Sequence, residues 1–197
     1  MKTLGKKGAA TRQAILTSAR QAFTESGYDI GVRDIAEKAG VTAMLVNRYF
    51  GSKEELFEEV VDVVLSTPGI LTGDVMERAP DVSTLCREAA AALVAKTAPA
   101  LTPMDGFLIM LRSANNKQAT DILRRKFETH FAKPLALLLP GKDAGQRAAM
   151  FLSVIAGFQV MRQIVELAAL TQADSSQLAA RLEAVFELLI MDGPRSA

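Results

Sequence analysis

The sequence predicts an all-α protein in two parts, and three observations carry that expectation. Apolar residues recur at helical spacing in nearly every segment. Alternating, strand-like patterns are missing. One stretch, "TPGILTGDVMERAPD" (67–81), is punctuated by proline and glycine and interrupts the helical text. Apolar recurrence at three and four residues marks helices buried on one face, whereas strict alternation marks strands. The expected division is 1–66 and 67–197, with 49% apolar residues to build the cores.

In the first part, a helix is expected over about 8–26, with Ile15, Leu16, Ala19, Ala22 and Phe23 on one face. Gly27 follows it, because glycine tolerates the left-handed backbone that closes helices. Two short helices follow, and Ser52 opens a fourth to about residue 66. Glu55, three residues on, completes a capping box: serine and glutamate satisfy each other's free amides.

In the second part, Asp81 and Ser83 offer cap oxygens for a helix to about Thr97. A short apolar helix is expected over Asp105 to Ser113, then a longer one from Lys117 with Ile122, Leu123, Phe127 and Phe131 inward. Pro134 should kink or end it, since it has no amide hydrogen to donate. Two helices close the chain, at about 144–169 and 174–191. In the first of these, "AAMFLSVIAGFQVMRQIVELAAL", apolar residues cover more than one face, which implies burial on both sides. In the second, Leu178, Leu182, Val185 and Leu189 form the expected stripe, with Phe186 and Ile190 widening it. Either two copies pair these helices into a four-helix bundle, or one chain has a thick core.

Composition excludes more than it assigns. No run of about eighteen apolar residues suggests a membrane span, and the N-terminus lacks the apolar stretch of a secretory signal. One cysteine and one histidine rule against a Cys/His zinc site, and no cofactor or metal is expected. A single unpaired cysteine suits a cytoplasmic protein. Ser–His–Asp sets, phosphate loops and dinucleotide glycine patterns are missing, so no catalytic residue is named and no enzyme is expected. Net charge is only +1, but residues 1–53 hold nine Lys/Arg against four Asp/Glu. A basic end on an acidic body is the footprint of a protein that touches phosphate with that end.

The short helices carry the most specific pattern. Ala36 is small where the helices would cross, Gly40 sits at the turn, and Val46 would plug the space between them. That spacing fits a helix-turn-helix, whose second helix enters the DNA major groove N-terminus first. The second helix, about Ala43 to Tyr49, then points Ala43, Met44 and Leu45 at base edges, where apolar groups meet thymine methyls. Ordinary packing is the other reading of Met44 and Leu45. Thr42 can cap the helix and reach phosphate or base; Asn47, Arg48 and Tyr49 supply its polar reach. Arg33 suits a bidentate contact to guanine. Lys53, at the start of the next helix, suits phosphate. Ile35, Val46 and Phe50 are expected in the core. The acids Glu54, Glu55, Glu58 and Glu59 are expected to face solvent.

These residues resemble the tetracycline-repressor (TetR) family of bacterial transcription regulators. The resemblance covers about 10–60 and rests on "TRQAILTSARQAFTESGYD", "VRDIAEKAGVT" and "NRYFGSKEELF". The last is close to the family's Tyr–x–x–Phe–x–x–Lys–Glu–x–Leu ending. It implies an N-terminal helix-turn-helix DNA-binding domain and a C-terminal helical ligand-binding and dimerisation domain. It also implies a double-stranded DNA operator, a homodimer through the last two helices, and an unidentified small-molecule effector. Asn47 stands where the family usually has tyrosine, Gly31 where it has a threonine cap, and Met44 and Leu45 replace a small or hydroxylic pair. The base preference is therefore not carried over.

For the effector, Met110, His130, Met150, Phe158 and Met161 are the candidates. Thioether chains repack around varied ligands, and His130 sits beside Phe127 and Phe131. Each has a plain packing reading beside it. Arg112 and Arg162 lie on apolar helices and meet either a ligand acid or a glutamate such as Glu166; the ion pair is the favoured expectation. Cys86 reads as packing rather than a redox sensor. A helical interaction protein of the same fold, without specific operator binding, is the alternative function.

Overall fold

The computed structural model describes residues 5–71, 73–79 and 81–190. Every regular element among them is helical. The helices gather into two compact units. The first joins 1–65 with 105–126; the second joins 66–104 with 127–197. Packing thus places 105–126 with the first unit, whereas the division read from the sequence put that segment in the second part.

In the first unit, α1 spans Lys6–Ser26, α2 Val32–Lys38, α3 Ala43–Phe50 and α4 Lys53–Leu65. To these the chain later adds α7, Asp105–Ser113, and α8, Lys117–Phe127. α1 buries Ile15, Ala19, Ala22 and Phe23 completely and stops at Gly27, whose amide bonds the Phe23 carbonyl at 2.9 Å. α4 starts at the expected capping box: the Ser52 amide donates to Glu55 Oε2 at 2.9 Å and the Glu55 amide to Ser52 Oγ at 3.1 Å. Phe57 sits edge-on to both Phe23 and Tyr28, with centroids 5.0 and 4.9 Å apart. Each such pair adds about 0.5–1.5 kcal/mol beyond area burial.

α7 and α8 are fastened to this unit by polar contacts. Arg20 Nε meets Asp105 Oδ2 at 2.6 Å, and Arg112 donates to the Thr24 carbonyl. Asn116 reaches Asp29 at 2.7 Å, and Lys126 pairs with Asp62 at 2.6 Å. The acids of α4 do not simply face solvent, as expected from sequence. Glu58 pairs with Arg125, Glu59 with Arg12, and Glu54 accepts from Tyr28 and Gln118. Partly exposed pairs are each worth about 0–1 kcal/mol, so they orient these helices over an apolar core that supplies the stability.

In the second unit, α5 spans Gly73–Arg78, α6 Val82–Lys96, α9 Lys133–Leu138 and α10 Ala144–Gln159. The short α11, Ala168–Thr171, and α12, Ser175–Ile190, complete it. α5 interrupts what reads as an irregular connector; buried Ile70, Leu71 and Met76 tie that segment to the core. α12 packs chiefly on α6, and Phe186 stacks on Phe151 of α10 with centroids 4.0 Å apart. The buried stripe of α12 is Leu178, Leu182 and Phe186; Val185, expected inward, is 42% exposed.

Two wide turns interrupt the regular helices of this unit. Glu128–Ala132 is π-helical, and the Lys133 amide bonds the Glu128 carbonyl. The widening sits just before Pro134, whose ring would clash with a carbonyl in a regular helix. The helix expected over 144–169 gives way after Gln159 to a second π turn, Val160–Ile164, and Glu166 adopts φ 55°. Arg112 and Arg162, expected in ion pairs, bond carbonyls instead: Arg112 that of Thr24, Arg162 that of Val94.

Cys86 lies fully buried on α6; desolvation first, then Glu187 and Glu183, push its thiol up to about 12. Thiolate is the reactive form. Iodoacetamide at pH 8 is therefore expected to label Cys86 only in unfolded protein, as mass spectrometry with and without urea would read.

Candidate nucleic-acid interface

The helix-turn-helix is built by three residues that must be what they are. Ala36 is 2% exposed where α2 meets α3. Gly40 takes φ 65°, and the next amide, of Val41, returns to the Ala36 carbonyl at 2.9 Å. A Cβ at Gly40 would touch nothing within 4 Å, so glycine is needed there for backbone conformation and not for space. Val46 is 1% exposed between the helices.

Fixing Val46 and Phe50 inward sets the rest of α3 by its 100° step. Met44 falls on the opposite side and is 82% exposed. Asn47 and Arg48 are exposed beside it, while Ala43, Leu45 and Tyr49 are half-buried at the flanks. Thr42 accepts from the Leu45 amide at 3.3 Å, capping the helix. Arg33 lies exposed near the start of α2. Among the described residues, the side chains of Arg33, Asn47 and Arg48 have no hydrogen-bond or ion-pair partner within the chain. Asp34 Oδ2 accepts from the Gly31 amide at 3.1 Å, the reciprocal half of a capping box, while Gly31 offers no side chain to the first-turn amides of α2.

Lys53 is less free than its position suggests. Its ammonium lies 4.3 Å from the centre of the Tyr28 ring, and burial pulls its pKa below the ordinary lysine value. Tyr28 is itself held: its hydroxyl donates to Glu54 at 2.9 Å and its amide to Ser113 Oγ at 3.0 Å. Burial, then the Glu54 bond, raise the phenol above its ordinary pKa. The Tyr28–Glu54 support escapes sequence reading because its two residues look like a core aromatic and a surface acid.

The effector candidates are scattered. Met110 is half-buried on α7 of the first unit. His130, Met150, Phe158 and Met161 belong to the second, so no single unit contains all five. His130 lies 6.2 Å from Phe131 in the first π turn, and Met150 and Met161 are 46% and 43% exposed. Phe158 is half-buried, 5.7 Å below the Arg162 guanidinium.

Comparison with known proteins covers both the N-terminal and the C-terminal part of the chain. The family model for bacterial regulatory proteins of the tetR family matches residues 15–60. The tetracyclin repressor-like C-terminal domain matches residues 84–190. No curated protein matches the chain. Among solved structures, a TetR-family regulator from Streptomyces coelicolor is similar at 23% identity and TM-score 0.58, covering 98% of this chain and 99% of its own. NalD, the secondary repressor of the MexAB-OprM multidrug efflux pump in Pseudomonas aeruginosa, is similar at 21% identity and TM-score 0.62, with 93% and 96% covered. GusR of Salmonella enterica is similar at 17% identity and TM-score 0.63, with 92% and 95% covered. Among the described residues no helix is long and apolar enough to cross a membrane. With both its DNA-reading and its C-terminal part matched, the chain belongs to the TetR family of bacterial DNA-binding transcriptional regulators.

Proposed function

We propose that this regulator is a ligand-responsive repressor that binds a palindromic operator as a homodimer. The observation that carries the reading is the outward face of α3, where Met44 stands exposed between Ala43 and the unpartnered Asn47 and Arg48. Met44, Ala43 and Leu45 offer apolar contact to thymine methyls, and Arg33 reaches guanine. Thr42, Arg48, Tyr49 and Lys53 hold phosphates, and Asn47 reaches toward the bases. Phosphate contacts give salt-dependent affinity; base contacts give choice.

The homodimer reading is supported by apolar residues left on the outer faces of α10 and α12: Met150, Val185 and Leu188, the last 65% exposed. A partner copy packing these faces makes a four-helix bundle and spaces two α3 helices about one DNA turn apart, or slightly more. An effector shifts this regulator only by binding one head spacing better than the other.

The test is affinity for the DNA upstream of the gene against random DNA, across a salt series. Upstream DNA should bind about 10³-fold tighter, with affinity falling steeply in salt for both. Weak, sequence-indifferent binding would favour a helical interaction protein that keeps only the fold. The same assay reads the Tyr28 support. Tyr28→Leu is expected to weaken binding about tenfold in the wild-type background and not at all beside Lys53→Ala, because the ring acts through that ammonium. Equal losses in both backgrounds would make Tyr28 a packing residue only.

A further inference from the structure

Arg162 is 2% exposed, yet no ion pair reaches it among the described residues. Its Nη1 donates to the Val94 carbonyl at 2.8 Å and to Thr97 Oγ1 at 3.2 Å, at the C-terminal end of α6. Burial alone pulls its pKa down, and no carboxylate opposes that. A helix C-terminus supplies roughly half a negative charge, so capping α6 explains Nη1 but leaves the guanidinium undercompensated. A buried cation in that condition is expensive.

The unmet demand is local. Five buried side-chain polar atoms among the described residues have no partner, and three lie on or immediately before one turn: Arg162 Nε, Gln159 Oε1 and Gln163 Oε1. The turn is the second π turn, where the Val165 amide reaches back to the Val160 carbonyl at 2.9 Å. Such single wide turns recur at functional sites. Apolar side chains pack nearby: the Phe158 ring of α10 lies 5.7 Å from the guanidinium, and Leu93, Val94 and Ile155 belong to the core that Phe158 packs against. A planar fork of two oxygens matches a guanidinium edge. One negative charge balances one guanidinium, whereas a phosphate dianion would leave buried charge in excess. The Gln159 amide can turn its NH2 group to the same oxygens, whereas Gln163 Nε2 donates to the Leu101 carbonyl at 3.3 Å.

We propose that Arg162, flanked by Gln159 and Gln163, anchors a monocarboxylic acid with an apolar body, and that this is the chemical class of the effector. The identification as effector rests on the ligand-responsive reading above; the binding itself does not. The experiment is thermal unfolding of the full chain with octanoate and benzoate, each beside its neutral alcohol, octan-1-ol and benzyl alcohol, and beside acetate and inorganic phosphate.

At a hundredfold excess over Kd, at least one of the two acids raises Tm by about 5 °C or more. The alcohols, acetate and phosphate do not. Arg162→Met abolishes that rise while still unfolding in one cooperative transition, because the bonds it loses to the Val94 carbonyl and Thr97 are offset in part by removal of a buried charge. If Arg162→Met does not fold, Gln159→Leu replaces it and is expected to cut the rise at least by half. Silence of both acids overturns the proposal. So does an equal rise with the alcohols or with inorganic phosphate, or a full rise retained in the variant. Because the readout contains no DNA, failure of operator binding would leave the result standing, and silence of the acids would leave operator binding untouched.

Discussion

Replacing Met44 with aspartate is expected to abolish operator binding and leave the fold intact. Met44 is 82% exposed, so the change removes no core contact, and substitutions at such sites move stability by about 0.5 kcal/mol or less. On DNA the same position would set a carboxylate among phosphates. Like charges brought together at an interface cost several kcal/mol, so affinity should fall about 10³-fold or more, with two copies of the change in each dimer. Urea unfolding and DNA titration on the same preparation read both halves. A wild-type affinity with wild-type stability would mean that α3 does not face DNA.

Gly27→Ala is expected to have the largest effect on stability. Gly27 has φ 71° and ψ −169°. That region belongs almost solely to glycine and costs other residues about 1–3 kcal/mol. A Cβ there would also lie 2.4 Å from the Arg112 carbonyl oxygen, a backbone atom that cannot step aside. Overpacking of that kind adds about 1–3 kcal/mol, so the urea midpoint should drop by the equivalent of about 3–5 kcal/mol. Gly40→Ala is the control: with φ 65° and open space, it should cost about 1–2 kcal/mol. Equal losses at the two glycines would mean that α7 does not press against the end of α1.

Local features of the structure are legible in the sequence, and long-range ones are not. The α3 face follows from Val46 and Phe50 and a fixed angular step, so Met44 is placed outward without coordinates. The Ser52–Glu55 cap and the Asp105–Ser113 helix are read from four and nine consecutive residues. By contrast, the assignment of α7 and α8 to the first unit depends on pairs such as Lys126 with Asp62, which no periodicity reveals. The break after Gln159 is hidden for a different reason. A segment apolar on all sides gives no phase from which a wide turn could be noticed. Arg162 follows from that: its partner is the Val94 carbonyl on another helix, whereas local charge spacing points to a glutamate such as Glu166. Val185 is a smaller case, since Phe186 one position on competes for the same interior and is the larger side chain.

The most direct measurement uses Met44→Cys. The chain has a single cysteine, Cys86, and it is fully buried, so the new thiol is the accessible one. Labelled there with a photoactivatable aryl azide, the dimer on upstream DNA is expected to crosslink at two symmetric positions, in major grooves about one helical turn apart or slightly more. Crosslinks spread evenly along the DNA, or none from a protein that still binds, would contradict a groove-reading α3.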